Sequence, residues 1–155
     1  MEATEGDVIG ALTRDHRRLQ ELFGRLEPAR DPGERRRLAD EVTIMLVRHA
    51  LAEERYLFPV MRKVLPGGDT IAQEAIADYA AIEKALKQLY KTDPAGPEFD
   101  VVLSELLVQV RSHINDEEEI LFPRLAGHFT DDAFIELGTA TNPPVTRRRP
   151  GRTLP

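Results

Sequence analysis

Two segments of the chain place a histidine and a glutamate four residues apart, at His49 and Glu53 and at His113 and Glu117. Each pair interrupts apolar residues that recur every three or four positions, the spacing of the buried face of a helix. Residues four apart lie on one face of a helix, so each imidazole projects into the core beside its carboxylate. The sequence Leu-Phe-Pro follows both pairs at the same distance. The chain is therefore predicted to repeat one helical unit around a polar interior.

Apolar spacing predicts four long helices, which clusters of proline and glycine separate. Their predicted starts are Ile9, Glu34, Asp69 or Thr70 as a cap, and Pro97 as a first helical residue. Pro59 and Pro123 fall inside helical patterns, where a proline bends a helix rather than necessarily ending it. With short connections, the expected fold is all-α, an antiparallel up-down-up-down four-helix bundle.

Turn positions predict which residues lie level in such a bundle, since level residues are equally far from the turn between them. The midpoint of His16 and His49 falls in the turn at residues 31–33. The midpoint of Tyr79 and His113 also falls in a turn, as does that of Glu53 and Tyr79. Six polar residues are thus predicted to share one core layer: His16, His49, Glu53, Tyr79, His113 and Glu117.

A metal centre is the interpretation that best explains this layer. One His-x-x-x-Glu pair alone is typical of an ordinary helix surface contact, but two pairs on matched apolar stripes would bury two carboxylates, at several kcal/mol per ion without a counter-charge. The chain has no cysteine, so the ligands must be nitrogen and oxygen atoms, which suit iron, manganese or zinc. Two carboxylates able to bridge suit two ions. A phenolate at Tyr79 would favour ferric iron, whereas the alternative is a boundary tyrosine with its hydroxyl in water.

Other charged residues are predicted to be solvent-exposed. Glu54, Glu118 and Glu119 neighbour the pairs but point away from them on a regular helix. His128 lies beyond the polar layer, and the run Glu34–Arg37 reads as surface charge.

Composition bounds the remaining properties. At 155 residues the chain suits one domain, assigned to residues 1–140, with a Pro/Arg-rich tail at 141–155 and a short fifth helix at 131–137. The net charge of −6 argues against a nucleic-acid partner. Neither a signal peptide nor an apolar run of about 20 residues is evident, so we expect a cytoplasmic protein without a membrane partner. We expect a monomer or a weak homo-oligomer.

The residues described above resemble the hemerythrin family, specifically hemerythrin-like proteins with the HHE cation-binding domain. The similarity spans about residues 7–127 and is carried by Asp15-His16, by both His-x-x-x-Glu pairs and by Leu-Phe-Pro after each. The resemblance implies a four-helix bundle that binds a non-haem, oxo-bridged di-iron centre. The iron ligands it implies are His16, His49, Glu53, His113 and Glu117.

The chain departs from the family at two positions. Tyr79 stands where the family usually has histidine, and Ala75 where the oxygen carriers have a further histidine. A phenolate stabilises ferric iron, which argues against reversible dioxygen carriage. With a tyrosine at this position, the chain resembles the hemerythrin-like proteins of mycobacteria and related actinobacteria. This group is associated with the handling of peroxide and nitric oxide.

Three functional hypotheses follow. The first is a di-iron oxidoreductase of the catalase or peroxidase type that decomposes hydrogen peroxide. The second is a protein that binds or senses dioxygen, nitric oxide or iron without turnover, with the basic tail Arg147–Arg152 as its output surface. The third is a bundle without metal.

Overall fold

The computed structural model describes residues 8–128, which form helices and no strand. Two of the four long helical segments are interrupted by a π-helical turn. The elements are α1 (Val8–Leu26), α2 (Pro32–Ala52), a first π turn (Glu53–Leu57), α3 (Phe58–Val64), α4 (Gly68–Lys91), α5 (Glu98–Asp116), a second π turn (Glu117–Leu121) and α6 (Phe122–Leu125). The predicted all-α bundle is confirmed. The fifth helix at 131–137 and the tail at 141–155 lie outside the described residues.

Each π turn begins at one of the two paired glutamates. The amide of Phe58 donates to the carbonyl of Glu53, and that of Phe122 to the carbonyl of Glu117, five residues back instead of four. A proline follows each phenylalanine, and a proline in a regular helix clashes with the carbonyl four residues earlier. The wider turn accommodates that ring. The helices therefore continue through both prolines, as predicted, by widening at the glutamates.

The start of α4 differs from the prediction. Neither Asp69 nor Thr70 caps the helix, which begins at Gly68 after Gly67 in a left-handed conformation with φ of 71°. A side chain at Gly68 would bring Cβ within 2.0 Å of the Met61 carbonyl oxygen. Close packing of the α3–α4 connection thus requires glycine here and sets the start of the helix.

The other helix starts lie within two residues of the predicted positions. Helix α2 begins at Pro32, and Asp31 caps it by accepting a hydrogen bond of 2.9 Å from the amide of Glu34. Pro97 immediately precedes α5 instead of being its first residue. Proline suits both places because an amide hydrogen at the start of a helix has no partner within the helix, so its absence costs nothing.

Buried apolar residues form two clusters, and Tyr79 packs against both. One cluster includes Leu19, Leu46 and Leu106, and the other includes Phe58 and Met61. The predicted polar layer is therefore enclosed by apolar packing on two sides. Ile76 continues the apolar spacing of α4 but is 39% exposed, so spacing alone does not place it in the core.

The charged run Glu34–Arg37 is only partly a surface feature. Arg37 is exposed and pairs with Glu34 and Glu41 on its own helix, as predicted. The prediction for Arg35 is wrong, because this residue is buried with 5% exposure. Its guanidinium donates to the carbonyls of Ala29 and Pro94 and to Asp100 Oδ1. Arg35 thereby ties the α1–α2 turn to the α4–α5 turn.

Within residues 8–128, no helix combines the length and apolar character that crossing a membrane requires.

Candidate metal centre

Three of the four long helical segments contribute to one buried polar cluster. Its members come from α1, α2, the first π turn, α5 and the second π turn, and each is at most 7% exposed. Each member offers one nitrogen or oxygen atom, and these five atoms lie within 4.8 Å of one another. The five residues are His16, His49, Glu53, His113 and Glu117. The layer predicted from turn midpoints is therefore present.

The histidines present Nε2 to the carboxylates. Oε1 of Glu117 lies 2.9 Å from Nε2 of His16, 3.2 Å from that of His113 and 3.8 Å from that of His49. Oε2 of Glu53 lies 2.9 Å from Nε2 of His49 and 3.7 Å from that of His113. Both carboxylates thus face more than one imidazole.

Tyr79 comes from α4, the remaining long helical segment, and lies in the same layer. Its hydroxyl oxygen lies 2.8 Å from Nε2 of His113. The structure therefore brings together all six residues predicted for the layer.

Asp15 supports His49 from behind, a contact that the sequence prediction missed. Nδ1 of His49 donates to Oδ2 of Asp15 at 2.8 Å, and both side chains are buried. A histidine whose Nδ1 donates to a carboxylate keeps Nε2 free for a metal. The available sequence signal was the position of Asp15 directly before His16 in α1.

Glu118 supports His16 in the same way, and the prediction that it is solvent-exposed is wrong. Its Oε2 lies 2.6 Å from Nδ1 of His16, and its Oε1 contacts Arg17. Contacts with His16 and Arg17 of α1 hold Glu118 in place, whereas Glu54, at the same position of the first π turn, is exposed. Glu119 and Glu54 are exposed, as predicted, and so is His128.

His113 differs from the other two histidines. Nδ1 of His16 and Nδ1 of His49 each contact a carboxylate, whereas the Nε2 of His113 faces the hydroxyl of Tyr79. His113 is also the most exposed of the five, at 7%. The cluster is therefore asymmetric, with its supported side at α1 and α2 and its open side at α4 and α5.

This arrangement can be compared with known proteins. Residues 7–125 match the family model of the hemerythrin HHE cation binding domain. The chain belongs to this family. Among curated proteins, this hemerythrin-like chain is 24% identical over 134 residues to an uncharacterized hemerythrin-like protein of Schizosaccharomyces pombe, covering 86% of the chain and 66% of that protein.

A second relative is much longer. The hemerythrin-like chain is 29% identical over 126 residues to a DNA nickase of Nostoc sp., covering 81% of the chain but 35% of the nickase. It thus spans about a third of one relative and just under two thirds of the other. No solved structure matches the chain.

The buried carboxylates of this hemerythrin domain raise the pKa of His49 and of His113. Burial alone would lower the pKa of His113, but the charges of Glu117 and Glu53 overcome that effect and raise it to about 10. Burial also opposes the rise at His49, where the charge of Glu53 and the hydrogen bond to Asp15 raise the pKa well above its usual value. Desolvation and the two glutamate charges raise the pKa of Tyr79. Without metal, the protonated imidazoles of His49 and His113 neutralise Glu53 and Glu117, and a bound cation would take over that role.

Several buried polar atoms in the hemerythrin domain fit a bound cation. Within the described residues, both carboxylate oxygens of Glu53, Nε2 of His49 and Oδ1 of Asp15 are buried without a hydrogen bond. Burying polar atoms without a hydrogen bond is costly. Oε2 of Glu53 and Nε2 of His49 face each other at 2.9 Å, and a metal ion would satisfy both residues directly. Imidazole and carboxylate ligands suit iron, manganese and zinc. The cluster is suited to a metal centre.

Proposed function

We propose that this hemerythrin-like chain holds two iron ions and decomposes hydrogen peroxide, in a catalase-like reaction. The observation that carries the proposal is the phenol oxygen of Tyr79 beside Nε2 of His113, in a cluster of three imidazoles and two carboxylates. A phenolate is a hard anionic ligand that favours ferric iron. A centre stabilised in its oxidised form suits oxidant chemistry better than reversible dioxygen carriage.

The residues that would hold the ions are the six of the buried layer. Glu53 and Glu117 would each bind beside more than one imidazole, because each faces more than one histidine. Those that would bind the ions are His16, His49, Glu53, Tyr79, His113 and Glu117. When bound, the iron pair would supply Lewis acidity and a two-electron redox couple. Two peroxide molecules yield one dioxygen and two waters, so the reaction needs no external reductant.

The chain itself contributes orientation and water exclusion. Asp15 and Glu118 accept hydrogen bonds from Nδ1 of His49 and His16, which leaves Nε2 of both rings directed at the centre. The apolar clusters on either side of the layer limit the entry of bulk water. A dry, shaped cavity is the protein's usual contribution to metal catalysis.

Oxygen evolution from hydrogen peroxide by the iron-loaded protein tests the proposal. An oxygen electrode should record evolution well above that of the same concentration of free iron. The matched control is Glu54→Gln, an exposed neighbour that should leave the rate unchanged, whereas Glu53→Gln should abolish it. A wild-type rate no higher than that of free iron would refute the peroxide reaction.

A second function is ligand sensing without turnover. The observation that favours it is the match to about a third of a longer protein, the Nostoc DNA nickase, which places a similar domain beside other sequence. A sensing domain would bind nitric oxide or dioxygen, with a spectral change but no oxygen release from peroxide. The basic tail Arg147–Arg152, a proposed output surface, lies outside the described residues.

A further inference from the structure

A cleft between α3, α4 and the second π turn leads to the cluster. Its volume is about 240 Å³, and its inner residues include His113 and Glu117. Met61, Ile71 and Ala75 form apolar walls. Two residues of the proposed centre therefore line a cavity large enough for a molecule of a few atoms.

Two other cavities approach the layer less closely. A groove of about 280 Å³ between α2 and α4 meets it only at Tyr79. A cleft of about 240 Å³ between α4 and α5 meets it only at His113. The α3–α4 cleft, by contrast, is lined by both His113 and Glu117, whose Nε2 and Oε1 atoms are 3.2 Å apart. It also lies on the open side of the cluster, where His113 is most exposed.

The rim of this cleft is mainly acidic. Glu74, Asp78 and Asp116 are exposed and line it, and Arg124 is the one arginine or lysine among its lining residues. Three negative charges against one positive charge produce a negative potential at the entrance. Such a potential repels anions and leaves neutral molecules unaffected.

We propose that this cleft is the passage by which small molecules reach the centre, and that its acidic rim favours neutral molecules such as hydrogen peroxide and nitric oxide over anions. The inference rests on the proposed iron site. Ala75 controls the width of the passage, because its small, half-buried side chain lies on the wall and a larger one would project into the cleft. Glu74 and Asp78 control its charge.

The width is tested with Ala75→Leu and the control Ala77→Leu, an exposed position on the same helix that does not line the cleft. The reduced, iron-loaded proteins are mixed with nitric oxide, and binding is followed by stopped-flow absorbance. Ala75→Leu should slow binding several-fold relative to Ala77→Leu. Equal rates would overturn the passage. If Ala75→Leu fails to fold or to hold iron, Ala75→Val provides a smaller obstruction with the same expectation.

The charge is tested with the double variant Glu74→Gln and Asp78→Asn, using azide as the anion and nitric oxide as the neutral probe. The ratio of azide to nitric oxide binding rates should rise several-fold at low salt, and the gain should shrink as salt is added. An unchanged ratio would overturn selection by the rim. Because both probes report binding and not turnover, a wild-type protein that releases no oxygen from peroxide would refute the proposed function and leave these rates to decide the passage.

Discussion

The hydroxyl oxygen of Tyr79 lies 2.8 Å from Nε2 of His113, so a phenol and an imidazole on neighbouring helices meet in the buried layer. The two atoms are close enough to bind one ion. Burial is the largest cause that raises the pKa of Tyr79 well above its usual value, and the charges of Glu53 and Glu117 raise it further. The metal-free protein therefore keeps the phenol protonated. A ferric ion would have to displace that proton to bind Tyr79.

Replacing Tyr79 by phenylalanine tests this coordination. The oxidised, iron-loaded protein should show a phenolate-to-iron absorption band in the visible, and Tyr79→Phe should lack it. Tyr90→Phe is the control, because Tyr90 is 70% exposed. A band that survives in Tyr79→Phe would contradict coordination by this residue.

The carboxylates behind the histidines should tune metal affinity without binding the metal. Asp15→Asn and Glu118→Gln should each lower the affinity by about 10- to 100-fold, because such supporting groups fix ring orientation and basicity. Competition with a chelator measures the change. Glu119→Gln, on the same π turn but exposed, should have no effect. Equal affinities for Glu118→Gln and Glu119→Gln would contradict the role of Glu118.

The metal-free protein should lose stability as the pH rises. The pKa of His113 is about 10 when folded and near 6.5 when unfolded, so its contribution is complete below pH 6.5 and is lost as the pH rises through 10. The dependence should reach about 1.4 kcal/mol per pH unit for each such proton. Thermal unfolding between pH 6.5 and 10 measures it.

Metal should change that profile, since a cation would replace the protons held on His49 and His113. Iron affinity should rise with pH over the same range, and loading should release protons that a pH indicator detects. His128→Gln removes an exposed histidine and should leave both results unchanged. A flat stability profile for the metal-free protein would contradict the high pKa of His113.

Arg35 should be important for stability, although it is not one of the residues of the buried polar cluster. Arg35→Met should lower the free energy of unfolding by about 2–3 kcal/mol, because it leaves the carbonyls of Ala29 and Pro94 without their donors. Urea denaturation measures the loss. Arg37→Met, an exposed control, should barely move the midpoint. Equal midpoints for the two variants would contradict the role of Arg35 in joining the α1–α2 turn to the α4–α5 turn.

The sequence predicts the six residues of the layer because each replaces a core position on an apolar stripe. His49 and Glu53 are recognisable from spacing alone, and the turn midpoints bring them level with Tyr79. Burial of a polar residue at a core position leaves a periodic signal that can be read directly.

The supporting residues leave no such signal. Glu118 accepts a hydrogen bond from His16, a residue 102 positions away on a different helical segment. A regular helix assumed from sequence places Glu118 in solvent. Arg35 is buried by contacts with two turns, which a helical pattern does not encode. Contacts between distant elements and local departures from α-helical geometry are what the sequence prediction missed.

Metal content is the most direct test of the central claim that this buried layer holds two iron ions. The protein is reconstituted with ferrous iron and desalted, and its metal content is measured by elemental mass spectrometry. It should retain two iron ions per chain. Glu53→Gln should lose them, whereas the exposed neighbour Glu54→Gln should keep both. Retention of no stoichiometric metal by the folded wild-type protein would contradict the account.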